Sequence, residues 1–168
     1  GSLIATGCTF TGNRYTEPNV NSHSGYNNGG GAIYRKNPCV LNITDSSFTD
    51  NAVEVYRQGR GGAIWTHDTS QSSLILDNVD FTGNEVTFRY EFASIEGNGG
   101  AVDHDGDLTA TDCNFSSNRV THYSKRGTSL NCFGGAIHLG SSNYTIEGCL
   151  FQDNLAGGYA GAMYSTSS

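Results

Sequence analysis

The residues best suited to chemistry are Asp103-His104-Asp105-Gly106-Asp107. Carboxylates at alternate positions offer hard oxygen ligands in the manner of a calcium loop, but no Glu follows at the distance such a loop requires. Paired carboxylates also serve as acid and base in glycoside cleavage, where an inverting pair stands about 6.5–9.5 Å apart across a cleft. A tight Asp-Gly turn between two strands accounts for the same string without a ligand. Asp103, Asp105 and Asp107 are therefore weak calcium candidates. His67, His104 and His138 are the other ligand types at hand, at offsets of four, three and two residues from a recurring Ala. They share no column, and three aligned ligands for zinc are missing. They are expected to be surface histidines. No catalytic residue, metal or cofactor is assigned, and the chain is not expected to be an enzyme.

The elements that position these residues follow from an internal repeat. F-x-x-N occurs five times, ending on Asn13, Asn51, Asn84, Asn118 and Asn154. Between these lies G-G-A-[IV], at Gly30–Ile33, Gly61–Ile64, Gly99–Val102 and Gly134–Ile137, with a degenerate copy at Ala160–Met163. The two motifs alternate along the whole chain. From the motif Ala to the next Phe the spacing is 16, 18, 14 and 15 residues, whereas the return arc varies from 11 to 22. The constant arc carries period-two segments (V-L-N-I-T from Val40, S-L-I-L-D from Ser73) that read as strands. Leu41, Ile43, Leu74, Leu76, Leu108, Ala110, Ile146 and the five repeat Phe are the expected interior. No such strand buries a face alone, so stacking coils at about 4.8 Å per coil is the economical fold. The prediction is an all-β chain: one right-handed parallel β-helix domain over residues 1–168, of about four coils. The repeat Asn is predicted to stack as a ladder, and the motif glycines to sit where positive φ or close backbone approach is needed.

This alternation resembles the polymorphic outer membrane protein repeats of chlamydial surface proteins, and similar repeats occur in other large secreted β-helix proteins. The resemblance covers nearly all of the chain. It implies a parallel β-helix displayed at a cell surface, typically as an adhesin or passenger region. The Tyr- and Arg-rich insertions here depart from the compact family pattern.

Bulk composition agrees with strands and polar turns. The chain is 36% hydrophobic and 15% charged, with 23 Gly and 2 Pro. A net charge of −7 leaves no basic stripe for nucleic acid, and no apolar run of 18 residues exists to insert in a membrane as a helix. Three sequons, at Asn42, Asn114 and Asn143, are possible N-glycosylation sites, though so Asn- and Ser/Thr-rich a chain yields about that many by accident. Five Cys is an odd count. Cys8, Cys113 and Cys149 each precede a repeat Phe by two residues, in a column otherwise filled by Ser46 and Val79. They are expected to be buried free thiols, with Cys113 and Cys149 on adjacent coils and within disulfide reach. Cys39 and Cys132, nearer corners, are the better pairing candidates, with each other or with another chain.

The segments after each F-x-x-N collect seven of the nine basic residues and much of the aromatic content. Tyr and Arg are enriched at interface hot spots. Arg14, Tyr15, Tyr26, Tyr56, Arg57, Arg60, Phe88, Arg89, Tyr90, Arg119, Tyr123 and Arg126 are therefore the predicted interaction edge, presented by loops. The expected partner is a protein or glycan at a cell surface, or copies of the chain itself. Both ends read as uncapped, which fits a segment of a longer β-helix or a subunit stacked end to end in an extracellular fibre. The rival class is a polysaccharide-binding or polysaccharide-cleaving β-helix.

Overall fold

A computed structural model describes residues 1–18, 28–67, 72–89, 94–122, 129–140 and 143–166. Among them there is no helix, and every strand pairing is parallel. The strands stack in four sheets to make a β-solenoid of about four turns. One coil shows the circuit: Val40–Thr49, then Ala52–Val55, then Gln58–Arg60, then Ile64–Thr66.

The first sheet carries the period-two strands. Its inward columns are Leu3–Leu41–Leu74–Leu108–Tyr144 and Ala5–Ile43–Leu76–Ala110–Ile146 in register. Leu41, Ile43, Leu74, Leu76 and Ala110 are wholly buried. The strands bend midway at residues with positive φ: Asp45, Asn78 and Asp112 stand between Gly7 and Gly148 in one column. Asp and Asn tolerate this region better than other residues with side chains. Beyond the bend the repeat Phe stack face to face, with centroids 4.9 Å apart for Phe48 and Phe81 and 4.8 Å for Phe81 and Phe115.

The Asn three residues later form a continuous chain. Asn51 donates from its backbone N and its Nδ2 to Asn84 Oδ1, at 3.1 and 2.9 Å. Asn84 does the same to Asn118, and Asn118 to Asn154. Each Nδ2 also reaches back to a Phe carbonyl of the preceding coil. These turn amides would otherwise be buried without partners, and one side chain per coil supplies them.

The two motif glycines have different tasks. The first (Gly30, Gly61, Gly99, Gly134) holds φ between 54 and 69° at the corner into the fourth sheet. The second is a contact point. A Cβ added at Gly62 would lie 2.6 Å from the nitrogen of Glu85, and one at Gly100 2.5 Å from that of Arg119. Glu85 and Arg119 follow the ladder asparagines, so the backbone is pinched between the Asn ladder and the G-G-A corner. The pinch separates two apolar cores. The larger lies between the first and fourth sheets; the smaller holds Val53, Val55, Val86, Phe88, Ile95, Val120 and Cys132.

That second core corrects the picture of a loop-bearing edge. The described parts of the supposed insertions pair as a second sheet (Arg14–Thr16, Ala52–Val55, Glu85–Phe88, Arg119–Thr121, Leu155–Ala156) and a third (Gln58–Arg60, Ser94–Asn98, Ser129–Phe133). The reason is period-two patterning straight after each ladder Asn, as in A-V-E-V and E-V-T-F, with valines facing in.

Candidate functional site

The second sheet turns its inward column, Tyr15–Val53–Val86–Val120, to the small core, and the columns on its other face run Arg14–Ala52–Glu85–Arg119 and Thr16–Glu54–Thr87–Thr121. Arg14 Nη1 lies 3.6 Å from Glu54 Oε2, Arg89 Nε 3.0 Å from Glu54 Oε1, and Arg119 Nη2 2.7 Å from Glu85 Oε2. The hydrogen bond from Arg89 holds the Glu54 carboxyl below its ordinary range. Each of these ion pairs crosses between coils, so the basic edge is compensated where it stands. Arg57 is exposed. Tyr15 is half-buried and donates its hydroxyl to Asn28 Oδ1 at 2.9 Å. Tyr56 and Phe88 are buried and do not project as contact residues: Phe88 is turned by its strand into the small core, and Tyr56 follows Ala52–Val55 with Arg89 above it. Arg89 lies over the Tyr56 ring, 5.9 Å from its centroid. Tyr26, Tyr90, Tyr123 and Arg126 lie outside the described residues.

Arg60 leaves this edge for a different assembly. Its Nη2 donates to Glu96 Oε1 at 2.8 Å and its Nη1 to Asp103 Oδ2 at 3.2 Å. The other Asp103 oxygen lies 2.6 Å from His138 Nδ1. The sheets dictate this meeting. Asp103 and His138 occupy the outward column of the fourth sheet, Tyr34–Trp65–Asp103–His138–Tyr164, and Arg60 ends a strand of the third sheet across the glycine corner. Asp103 is 0% exposed. Burial alone would raise its pKa, but the His138 ring and the Arg60 guanidinium outweigh burial and hold it low. Burial likewise opposes the charge on Arg60, and Asp103 and Glu96 overcome it. Aromatic rings flank the cluster: Tyr34 stacks on Trp65 at 4.7 Å, and Phe133 packs against Tyr164 at 4.7 Å and His138 at 6.0 Å.

The three aspartates of the opening string do not converge. Asp103 faces Arg60 and His138, so a cation there would have to displace both. Asp105, pushed up by burial and by Asp103, lies 3.9 Å from His67 Nδ1. Asp107 accepts from the Asn143 backbone N at 3.3 Å. Among the described residues, no three His, Cys, Asp or Glu side chains gather where a metal could be held.

His104 and His138 are not surface histidines. His138 is 6% exposed and His104 1%. His104 faces inward, its Nδ1 on the Thr66 hydroxyl and its Nε2 2.9 Å from the Asp107 carbonyl, and burial lowers its pKa. Alternation places Asp103 and His138 on one outward column, but nothing in the sequence pairs that column with Arg60.

Of the sequon residues, Asn143 is exposed, and Asn42 and Asn114 are half-buried within strands. All five cysteines are free thiols. Cys39 lies in the large core and Cys132 in the small one, on opposite sides of the pinch, so they do not pair with each other.

No protein-family profile matches the chain, and no solved structure matches it. The chain is 33% identical, over 154 residues covering 88% of its length, to the probable autotransporter YfaL of Escherichia coli (strain K12). The matched stretch is 12% of that much longer protein. In sequence the chain is thus similar to one segment of an autotransporter, and in architecture it is a parallel β-solenoid.

Proposed function

We propose that the chain is a structural segment of a cell-surface β-helix, of the passenger kind, and that it contributes an adhesive edge without catalysing a reaction. The observation that carries this reading is the likeness to an autotransporter segment over 88% of the chain, joined to a fold whose polar groups are spent on holding coil to coil. The Asn ladder, the Arg–Glu pairs and the Asp103 cluster each link successive coils. Such a stack works as a stiff spacer whose outer surface is free to vary.

The adhesive part of the proposal is assigned to the exposed residues of the second sheet and its flanking turn. Arg57 is exposed, and Arg14 and Arg119 keep 50% and 55% of their side-chain surface in contact with solvent. Arg14 and Arg119 are paired with Glu54 and Glu85, so an acidic or sulfated surface polymer would meet this row by competing with those carboxylates for the solvent-facing guanidiniums. Beads coated with the chain are expected to bind immobilised heparin, and to lose most of that binding when Arg14, Arg57 and Arg119 are all changed to Glu. Equal binding by the triple variant, with unchanged unfolding, would remove this edge from the proposal.

A further inference from the structure

We propose that Cys113 and Cys149 are a latent disulfide pair that clamps two successive coils when the protein meets a disulfide oxidant. The inference is independent of the surface reading, because it rests on the solenoid register alone.

The pair follows from the stacking. Asn114 faces Leu150 and Phe115 faces Phe151 in a parallel ladder, and Leu150 N donates to Cys113 O at 2.8 Å. The residues one step earlier, Cys113 and Cys149, therefore sit one above the other on the inward side. Coils stack about 4.8 Å apart, inside the Cα separation that a disulfide accepts. Their atoms already touch: Cys113 N lies 3.4 Å from Cys149 Sγ. No other cysteine has such a neighbour in its column, which runs Cys8, Ser46, Val79, Cys113, Cys149. Cys8 has Ser46 beside it, and Cys39 and Cys132 lie in separate cores.

The reduced column shows what the thiols do before oxidation. At the upstream position Ser46 Oγ accepts from Cys8 N at 3.0 Å and donates to Thr44 O at 2.7 Å. Cys149 Sγ repeats the pattern, accepting from Cys113 N and donating to Glu147 O at 3.3 Å. A hydroxyl thus fills the role as well as a thiol does. Serine is accordingly a sound replacement, which makes the pair testable without damaging the corner.

The two thiols differ in access. Cys149 is half-buried, whereas Cys113 is 2% exposed and its thiol is pushed up to about 12, first by burial. With a low-molecular-weight disulfide as oxidant, the Cys149 thiolate attacks one of its sulfurs and expels one thiolate, leaving a mixed disulfide on Cys149. Cys113 then gives up its proton and attacks Cys149 Sγ, expelling the second thiol. Two electrons pass from the protein to the reagent, and one small disulfide becomes two thiols. In the reverse direction an external thiolate reaches Cys149 Sγ first and expels the Cys113 thiolate. Burial of Cys113 slows both directions, since its thiolate attacks in the one and leaves in the other.

The test is incubation of the native chain with glutathione disulfide, followed by alkylation and peptide mass spectrometry. The expected result is recovery of a single linked peptide joining Cys113 to Cys149, with the buried Cys39 and Cys132 still free thiols, and a raised unfolding temperature that reverts with dithiothreitol. Cys113→Ser is expected to leave Cys149 as a mixed disulfide with glutathione, and Cys149→Ser to leave Cys113 unmodified. The proposal is overturned if the wild-type chain stops at the mixed disulfide, links a different pair, or keeps all five thiols while an unfolded sample of it oxidises.

Discussion

Asn84 stands directly over Asn118, giving both its backbone N–H and its Nδ2–H to the single oxygen Asn118 Oδ1, at 3.0 and 2.9 Å. Both residues are fully buried. Removing the Asn118 side chain strands two donors of Asn84 and, on the same coil, the Phe81 carbonyl. A buried donor or acceptor left unmade costs about 1–3 kcal/mol. Asn118→Ala is therefore expected to lower stability by roughly 3–5 kcal/mol in denaturant unfolding. Asn13→Ala, at the exposed end of the ladder, is expected to cost about 1 kcal/mol or less.

The pinch predicts opposite fates for two glycines. Gly100→Ala drives a methyl into the backbone of Arg119 and the neighbouring coil, which side-chain motion cannot relieve. It is expected to cost on the order of 3 kcal/mol or more, or to prevent folding. Gly7 has the same positive φ as the first motif glycines but open space around its Cβ position, and its column already holds Asp45 and Asn78. Gly7→Asn is expected to change stability by less than about 1 kcal/mol. Thermal midpoints of the two variants check both statements.

Acid titration tests the buried cluster. Asp103 has a depressed folded pKa, so its charge contributes stability that is present above the unfolded value of about 3.9 and lost as pH falls through the folded value. Asp105, with a raised folded pKa, acts in the opposite sense, since protonation relieves its burial. Asp103→Ala leaves Arg60 with Glu96 alone and His138 with no carboxylate contact. It is expected to destabilise by about 3 kcal/mol at pH 7, with the difference from wild type shrinking below about pH 4. A difference that stays constant from pH 7 to pH 3 would contradict the assignment of charge to Asp103.

The exposed pairs behave differently. Arg119 meets Glu85 at 2.7 Å, yet its side chain is more than half exposed. Arg119→Ala is expected to alter stability by about 0.5 kcal/mol, falling further in high salt. Urea unfolding at low and high salt measures this.

The sequence revealed the part of the fold that repeats with constant spacing. Phe48, Phe81 and Phe115, three residues before their asparagines, mark the columns of the first sheet, and Leu41 and Ile43 mark its inner face. The second core was legible in principle, since Val53 and Val55, then Val86 and Phe88, alternate directly after a ladder Asn. Variable spacing beyond them hides the strands, and aromatic and basic side chains there have the composition of surface loops. The Arg60–Asp103–His138 cluster was beyond reach for a different reason. Its members lie 43 and 35 residues apart and meet only because the coil closes at the glycine corner. The Asp-Gly string that looked most like a ligand loop is a bend between two sheets, and its first carboxylate is spent on that cluster.

A cell-surface β-helix must be reachable from outside the intact cell. Antibodies raised against the purified chain, applied to intact cells that produce the protein, are predicted to label them without permeabilisation, with brief protease treatment of the intact cells removing the signal. Labelling only after the cell envelope is opened would contradict a cell-surface segment.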